Sequence, residues 1–293
     1  MREMTGFKDR VGLGWRRQLA AGILSNLDRI DIVEVIADDF FDAPRHERRA
    51  LRTLAAQTPV TLHGVSLGLA SSVAVETKRV DQMAQLCGEI GPVSWSEHLA
   101  FVRGGGFEIG HLAAPPRTSA TTDGALANLA RATTIVGVAP QVENVATLID
   151  PPGSDRDEAT WVSEIVCGSN CDLLLDLHNL YANALNFNFD PVDFIARMPP
   201  ESIASIHLAG GKWIGGRGAR RLLDDHLHDV PDPVYDLLAE AAARATRSLT
   251  VILERDGDFP SIACLLYQLD RARQALARGR ARRIDESEEE AAA

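Results

Sequence analysis

The sequence predicts an α/β protein of the (β/α)8 TIM-barrel class, and three observations carry that prediction. Eight short apolar runs recur along the 293 residues. Helical patterns lie between them, as in a barrel where every strand is followed by a helix. Most of the runs are near-continuous rather than alternating, which is how strands buried on both faces of a parallel sheet read.

The runs are RVGLGW (10–15), IDIVEVIA (30–37), PVTLHGVSL (59–67), PVSWSEHLAFV (92–102), APQVENV (139–145), CDLLLDL (171–177), SIASIHLA (202–209) and LTVILERD (249–256). The first helix is expected over 16–29, where apolar residues fall at 19, 20, 23, 24 and 27. The next, 44–56, opens on a proline, a residue preorganised for a helix start. Further helices are expected over 73–90, 122–137, 157–168, 190–198, 232–246 and 260–277, several with Ser, Thr or Asp near the start as N-cap. The long Gly- and Arg-rich connection 210–231 is expected to fold over the barrel mouth. Residues 1–277 form a single domain on this reading. Residues 278–293, a basic cluster followed by an acidic one with little to bury, read as a disordered charged tail.

The formal charge of −11 and the pI near 5.2 argue against a nucleic-acid binder, which needs a basic face. No run approaches the roughly 18 apolar residues of a membrane span, and the N-terminus lacks the apolar core of a signal peptide. A cytoplasmic protein without a membrane partner is expected. The cysteines, at 87, 167, 171 and 264, form no C-x-x-C pair. A zinc site at Cys167 and Cys171 would need two further soft ligands, so thiols of a reducing compartment are the expected reading.

Six runs close on or near a metal-ligating side chain: His63, His98, Glu143, Asp176, His207 and Glu254. In this fold the active site lies at the C-terminal ends of the strands. Burying so many ionisable groups in one mouth is costly unless cations compensate them. The polar loop DDHLH adds Asp224 and His226, on weaker local grounds, and Asn179 follows Asp176 closely enough to reach the same place. A mixed His and carboxylate set without cysteine suits iron, manganese or zinc. Eight ligands exceed what one ion takes, so two or three ions are implied, with carboxylates such as Glu143 able to bridge. Each residue also has a plainer reading. His63 alone would be a hydrogen-bonded core histidine, Asp176 would cap the following turn, and Glu254 would pair with Arg255 or another base. His178 is expected outward or in support of the ligands, His46 on the surface, and Glu34 as support or as partner to a base.

The ordered set LHG, SEHL, VEN, LLLD-x-x-N, IHLAG, D-x-H and ERD resembles the multinuclear non-heme iron-dependent oxidative enzymes (MNIO), once catalogued as a domain of unknown function. The resemblance runs from about Gly12 to about Leu269 and is strongest to the methanobactin-biosynthesis branch. It places the family's ligand positions on His63, His98, Glu143, Asp176, His207, Asp224, His226 and Glu254, with Asn179 beside the metals. Glu143, Asp176, Asn179 and Asp224 are then the expected catalytic residues. Two positions depart from many members: Gly211 stands where a second His follows IHLAG, and Asn186-Phe187 stand where others carry Asn-His. The methanobactin branch similarly lacks both.

The resemblance implies two or three irons in mixed Fe2+ and Fe3+ states, dioxygen as co-substrate, and oxidation of a ribosomally made precursor peptide at cysteine. It also implies a partner protein that binds the leader segment, and the stretch 215–221 (GGRGARR) offers cations to an acidic leader. Two other readings use the same ligands. One is a sugar-isomerase- or endonuclease-IV-like metalloenzyme using zinc or manganese without oxygen; the net charge disfavours the endonuclease. The other is a non-catalytic metal- or peptide-binding partner, which has no need for an open multinuclear site.

Overall fold

The computed structural model describes residues 7–216 and 220–292, with side chains as far as Arg283. Arg10–Gly14 (β1), Val33–Ile36 (β2), Val60–Gly64 (β3) and Trp95–His98 (β4) build the first half of a barrel. A hairpin follows, Phe101–Gly104 (β5) with Phe107–Ala113 (β6). Gln141–Glu143 (β7), Leu173–Asp176 (β8) and Ile203–Leu208 (β9) continue the barrel. A second hairpin, Gly211–Ile214 (β10) with Arg221–Asp224 (β11), precedes the last barrel strand, Thr250–Leu253 (β12). The eight barrel strands pair in parallel and in chain order, and β12 closes on β1. This is the (β/α)8 barrel that the sequence predicts.

Helices cover the outside: Ala20–Leu24 (α1), Asp38–Phe41 (α2), Arg45–Ala55 (α3), Thr77–Ile90 (α4), Ser119–Val136 (α5) and Glu158–Ser169 (α6). Then come Leu177–Phe187 (α7), Pro191–Ala196 (α8), Asp232–Arg244 (α9) and Ile262–Ala292 (α10). Side-chain oxygens of Thr118, Asp157 and Asp190 accept from the first turns of α5, α6 and α8, satisfying backbone donors left free at a helix start. Strand residues Leu173, Leu175, Ile206 and Val251 are fully buried, as sheet covered by helices requires.

Three features differ from the sequence reading. The fourth run breaks at Leu99–Ala100, and its end belongs to the β5–β6 hairpin. Helix α7 starts directly after Asp176, inside a run read as strand to 177. Helix α10 runs past the expected helix end at 277 into the charged segment. Arg280 donates to the carbonyls of Ala242 and Ala245 at 2.8 and 2.7 Å, and Arg283 to that of Arg244 at 2.9 Å. Both guanidiniums thus meet the unpaired carbonyls at the negative end of α9. Both hairpins lie in loops that follow strands β4 and β9, so they rise from the face where barrel enzymes keep their chemistry. Among the described residues no helix is long and apolar enough to cross a membrane.

Candidate metal centre

Strand register assembles the ligand-type residues. His98 sits opposite Glu143 on neighbouring strands, and Asp176 opposite His207. His63 and His98 both turn Nε2 toward Glu143 Oε2, at 3.4 and 3.3 Å. Glu143 Oε1 lies 3.4 Å from His207 Nδ1, which is also 3.1 Å from Glu254 Oε2 and 4.0 Å from Asp176 Oδ2. Three sets of atoms are each compact enough for one ion: His63, His98 and Glu143; Glu143, Asp176 and His207; Asp176, His226 and Glu254. Glu143 and Asp176 are shared between successive sets, so the three form a chain. A fourth set, His63 and His207 with Glu34, overlaps them.

The opposite ring nitrogens are already engaged. His63 Nδ1 meets Ser96 Oγ at 2.8 Å, and His98 Nδ1 donates to the Gly64 carbonyl at 3.2 Å. His207 Nε2 faces Glu34 at 3.0 Å. Such contacts fix ring orientation and leave the inward nitrogen's lone pair for a metal. The same arrangement fixes Asp176. Its Oδ1 caps α7 by accepting from Asn179 N at 2.6 Å, while Oδ2 is buried without a partner. The capping and ligand readings of Asp176 are therefore compatible, one oxygen each.

Asp224 and His226 arrive from the β10–β11 hairpin and the turn after it. His226 Nε2 is 2.8 Å from Asp224 Oδ2, and its Nδ1 is 3.5 Å from Glu254 Oε2 and 3.2 Å from Asp256 Oδ2. His226 has φ of +55°, a left-handed conformation that costs on the order of 1 kcal/mol for a non-glycine residue and clusters at functional sites. Asn179 donates Nδ2 to the Asn144 carbonyl at 3.0 Å and leaves Oδ1 buried and unpartnered.

Helix α7 holds this side in place. His178 is fully buried, with Nδ1 2.5 Å from Asp224 Oδ1. Asn186 brackets Leu222, accepting from its N–H at 2.8 Å and donating to its carbonyl at 3.0 Å. Phe187 lies under the Arg221 guanidinium. The departure at Gly211 also has a physical reason. A Cβ there would stand 2.1 Å from the Leu223 carbonyl oxygen and 2.6 Å from His178 Cε1. The hairpin and the His178 ring occupy the space that a side chain at 211 would need.

Among the protein groups alone, charge is divided between rings and carboxylates. Burial pulls His98 down, but Glu143 and Glu97 outweigh it and hold it up at about 9. His207 and His226 are likewise raised against burial by their carboxylate neighbours. Burial pushes Glu143 and Glu254 up, yet the surrounding histidines hold both below the usual carboxylate range. Asp176 goes the other way: burial, then Asp224 and Glu143, drive it well above that range. Metal ligation needs neutral imidazole and ionised carboxylate, so an ion entering here releases protons.

The residues fit a multinuclear cation centre. Glu143 Oε2, Asp176 Oδ2, Asn179 Oδ1 and His207 Nδ1 are buried, point into the cluster and make no hydrogen bond. Buried polar atoms are ordinarily satisfied, and close contacts out of hydrogen-bonding line are what a shared cation produces. The donor set is nitrogen and oxygen only, as hard to borderline metals prefer.

The remaining histidines and cysteines lie elsewhere. His46 and His228 are exposed, while His111 on β6 helps line a cleft above the centre. Cys167 is exposed and Cys171 buried, and no described metal-type group contains a cysteine. Arg217–Ala219, part of the stretch expected to meet a leader peptide, lie outside the described residues. Sequence reasoning missed Ser96, Glu97 and Arg16. Glu97 accepts from the His98 and Leu67 N–H groups at 3.0 and 3.1 Å, and Arg16 binds Asp256 at 2.9 Å. A buried-strand glutamate beside His98 was the available signal for Glu97.

The cleft above the centre has a volume of about 480 Å³. Its floor includes His98, Glu143, Asn179, Asp224 and His226. Its walls come from 112–114 on β6 and beyond, from the loop 145–152 after β7, and from 222–223 on β11.

Comparisons with known proteins agree with this construction. Solved structures sharing the fold include D-psicose 3-epimerase with D-tagatose from Clostridium cellulolyticum (TM-score 0.58, 12% identity, 94% of this chain and 99% of that one). Another is endonuclease IV from Thermus thermophilus (TM-score 0.53, 17% identity, 92% and 99%). These likenesses concern the barrel alone. A UPF0276 protein of Streptomyces avermitilis is 35% identical over 274 residues, 91% of this chain, which spans only 55% of that relative's length. A UPF0276 protein of Caulobacter vibrioides is 32% identical over 273 residues, covering 93% of this chain and 96% of the relative. Residues 10–277 match the family model described as RiPP precursor modification enzyme MbnB/TglH/ChrH, where RiPP denotes a ribosomally synthesised and post-translationally modified peptide. The chain belongs to this family of RiPP precursor modification enzymes.

Proposed function

We propose that this protein is a multinuclear iron enzyme that uses dioxygen to oxidise a cysteine of a precursor peptide delivered by a leader-binding partner. The observation that carries this reading is the chain of three ligand sets sharing Glu143 and Asp176 beneath an apolar cleft. His63, His98 and Glu143 would hold one ion, Glu143, Asp176 and His207 a second, and Asp176, His226 and Glu254 a third, with Asp224 and Asn179 on the cleft side. Bound iron supplies one-electron chemistry and dioxygen activation, which no side chain provides.

The protein's part is geometry and exclusion of water. Ser96, the Gly64 carbonyl and Glu34 fix the three imidazoles that rise from strand ends. His178 orients Asp224 through Oδ1 and leaves Oδ2 toward His226. The apolar walls keep water from a peptide segment lying over the floor, which strengthens every electrostatic contact there. No lysine or arginine is among the described residues lining the cleft. That composition is poorly suited to a nucleic-acid backbone, the ligand expected of the endonuclease-like reading.

The test is anaerobic purification, iron quantification and oxygen uptake with the cognate precursor peptide. Two or three irons per chain and peptide-dependent oxygen uptake with a mass change at cysteine are expected. A chain that takes up zinc or manganese in preference to iron, or an iron-loaded protein that consumes no oxygen with its peptide, would overturn the proposal.

A further inference from the structure

We propose that the cleft is a subsite for an aliphatic peptide segment flanking the modified residue, and that Asn183 and Asn186 of α7 set its width. This rests on the reading of the substrate as a peptide and adds which side chains it carries beside the reactive one.

The polarity of the cleft is divided by depth. Its carboxylates and two of its histidines, His98 and His226, belong to the floor; among the described lining residues the walls add only His111 as an ionisable group. The loop 145–152 presents Leu148, Ile149, Pro151 and Pro152, and β11 faces it with Leu222 and Leu223. At about 480 Å³ the space is of ligand-pocket size, larger than one side chain needs. A charged side chain lying against these walls would lose hydration with only His111 as an ionisable neighbour. An aliphatic side chain would remove apolar surface from water on both sides. Leu148 is 38% exposed and Ile149 72%, so the loop offers apolar surface that a bound segment can cover.

Both walls hang from one face of one helix. Asn183 is fully buried; its Oδ1 accepts from Thr147 N at 2.9 Å and its Nδ2 donates to the Val145 carbonyl at 2.9 Å. One turn on, Asn186 holds Leu222 of the opposite wall through both backbone groups and reaches the Thr147 carbonyl at 3.5 Å. Asn179, Asn183 and Asn186 stand at i, i+4 and i+7, a single helical stripe. The stripe runs from the metal floor to the two walls. Asn183 hydrogen-bonds to no ligand of the centre and secures the loop wall, so the position of that wall is separable from metal binding, whereas Asn186 also steadies the hairpin that carries Asp224.

The experiment uses the iron-loaded full chain without oxygen, and calorimetric titration with three capped peptides: acetyl-Leu-Cys-Leu-amide, acetyl-Ser-Cys-Ser-amide and acetyl-Glu-Cys-Glu-amide. The leucine peptide is expected to bind at least roughly ten-fold more tightly than the other two, the return on burying one aliphatic side chain. In Asn183→Ala the preference should fall below about three-fold with iron content unchanged; in Asn186→Ala, which also loosens the hairpin bearing Asp224, the preference should fall to the same extent. Leu148→Asp, a partly exposed wall position, should reduce it likewise and serves if the asparagine variants do not fold. Equal affinity for the leucine and glutamate peptides in the wild type, or a preference unchanged in the folded variants, overturns the proposal. Because binding is read without turnover, a leucine preference in a protein that never consumes oxygen leaves the subsite standing and removes the oxidative reading. Peptide-dependent oxygen uptake with no leucine preference does the reverse.

Discussion

Ligand-type residues reach the centre by two routes, and the routes differ in how they are secured. His63, His98, Glu143, Asp176, His207 and Glu254 stand at or just beyond the ends of six barrel strands and are buried, His207 and Asp176 completely. Asp224 and His226 come from a two-stranded hairpin and its following turn, with side chains 14% and 16% exposed and His226 at positive φ. Folding of the barrel places the first group, because register sets who faces whom. The second group is placed by contacts that α7 makes, chiefly His178 to Asp224 and Asn186 to Leu222. On the proposed reading the strand side would hold most of the metal ligands, and the hairpin side would complete the floor of the cleft with Asp224 and His226.

The largest expected effect comes from the strand side. Glu143→Gln removes a charged group shared by two ligand sets, so metal content should fall by at least one ion per chain in elemental analysis. Unchanged content would reduce Glu143 to a core carboxylate. On the hairpin side His226→Ala should cost one ion and spare the others. A variant that loses every ion would erase the distinction between the two routes.

The next effect is on stability and lies behind α7. Burial pushes the Glu158 carboxyl up to about 7, against Arg117 and a 3.0 Å hydrogen bond from Asn183. Between the ordinary value near 4.5 and about 7, the folded chain keeps a proton that the unfolded chain has lost. Stability therefore falls as pH rises through that window, and the loss is complete above it. The upper bound is on the order of 3 kcal/mol. Glu158→Gln should flatten this part of the pH profile in urea unfolding at pH 5 and pH 8. A profile parallel to the wild type would mean that Glu158 titrates normally.

The smallest effect is His178→Ala. Loss of a partner that orients a ligand typically weakens metal affinity about 10- to 100-fold. The change should be confined to the ion nearest Asp224, seen as one weakened step in a metal titration. An unaltered titration would leave His178 as packing alone.

The strand-borne half of the centre was legible because buried strands write themselves as apolar runs, and an ionisable residue closing such a run stands out. The hairpin-borne half was less so. D-x-H in a polar loop reads like any solvated surface, and only the ordered motif set singled out Asp224 and His226. Helix α7 escaped because it begins without a linker, Asp176 ending a strand and capping a helix at once; apolar residues at 177, 180, 181 and 184 carried its period. The β5–β6 hairpin had a signal too, three glycines at 104–106 between extended runs. What sequence could not give is the pairing of distant polar groups, such as Glu34 with His207 across 173 positions, because it depends on barrel closure.

The most direct test of a linked, multinuclear centre is anomalous diffraction at the iron edge from crystals of anaerobically prepared protein. The expected map has two or three peaks in a row, sharing Glu143 and, where the third is filled, Asp176 as common ligands. A single peak, or peaks that leave Glu143 bound to no more than one ion, would contradict it.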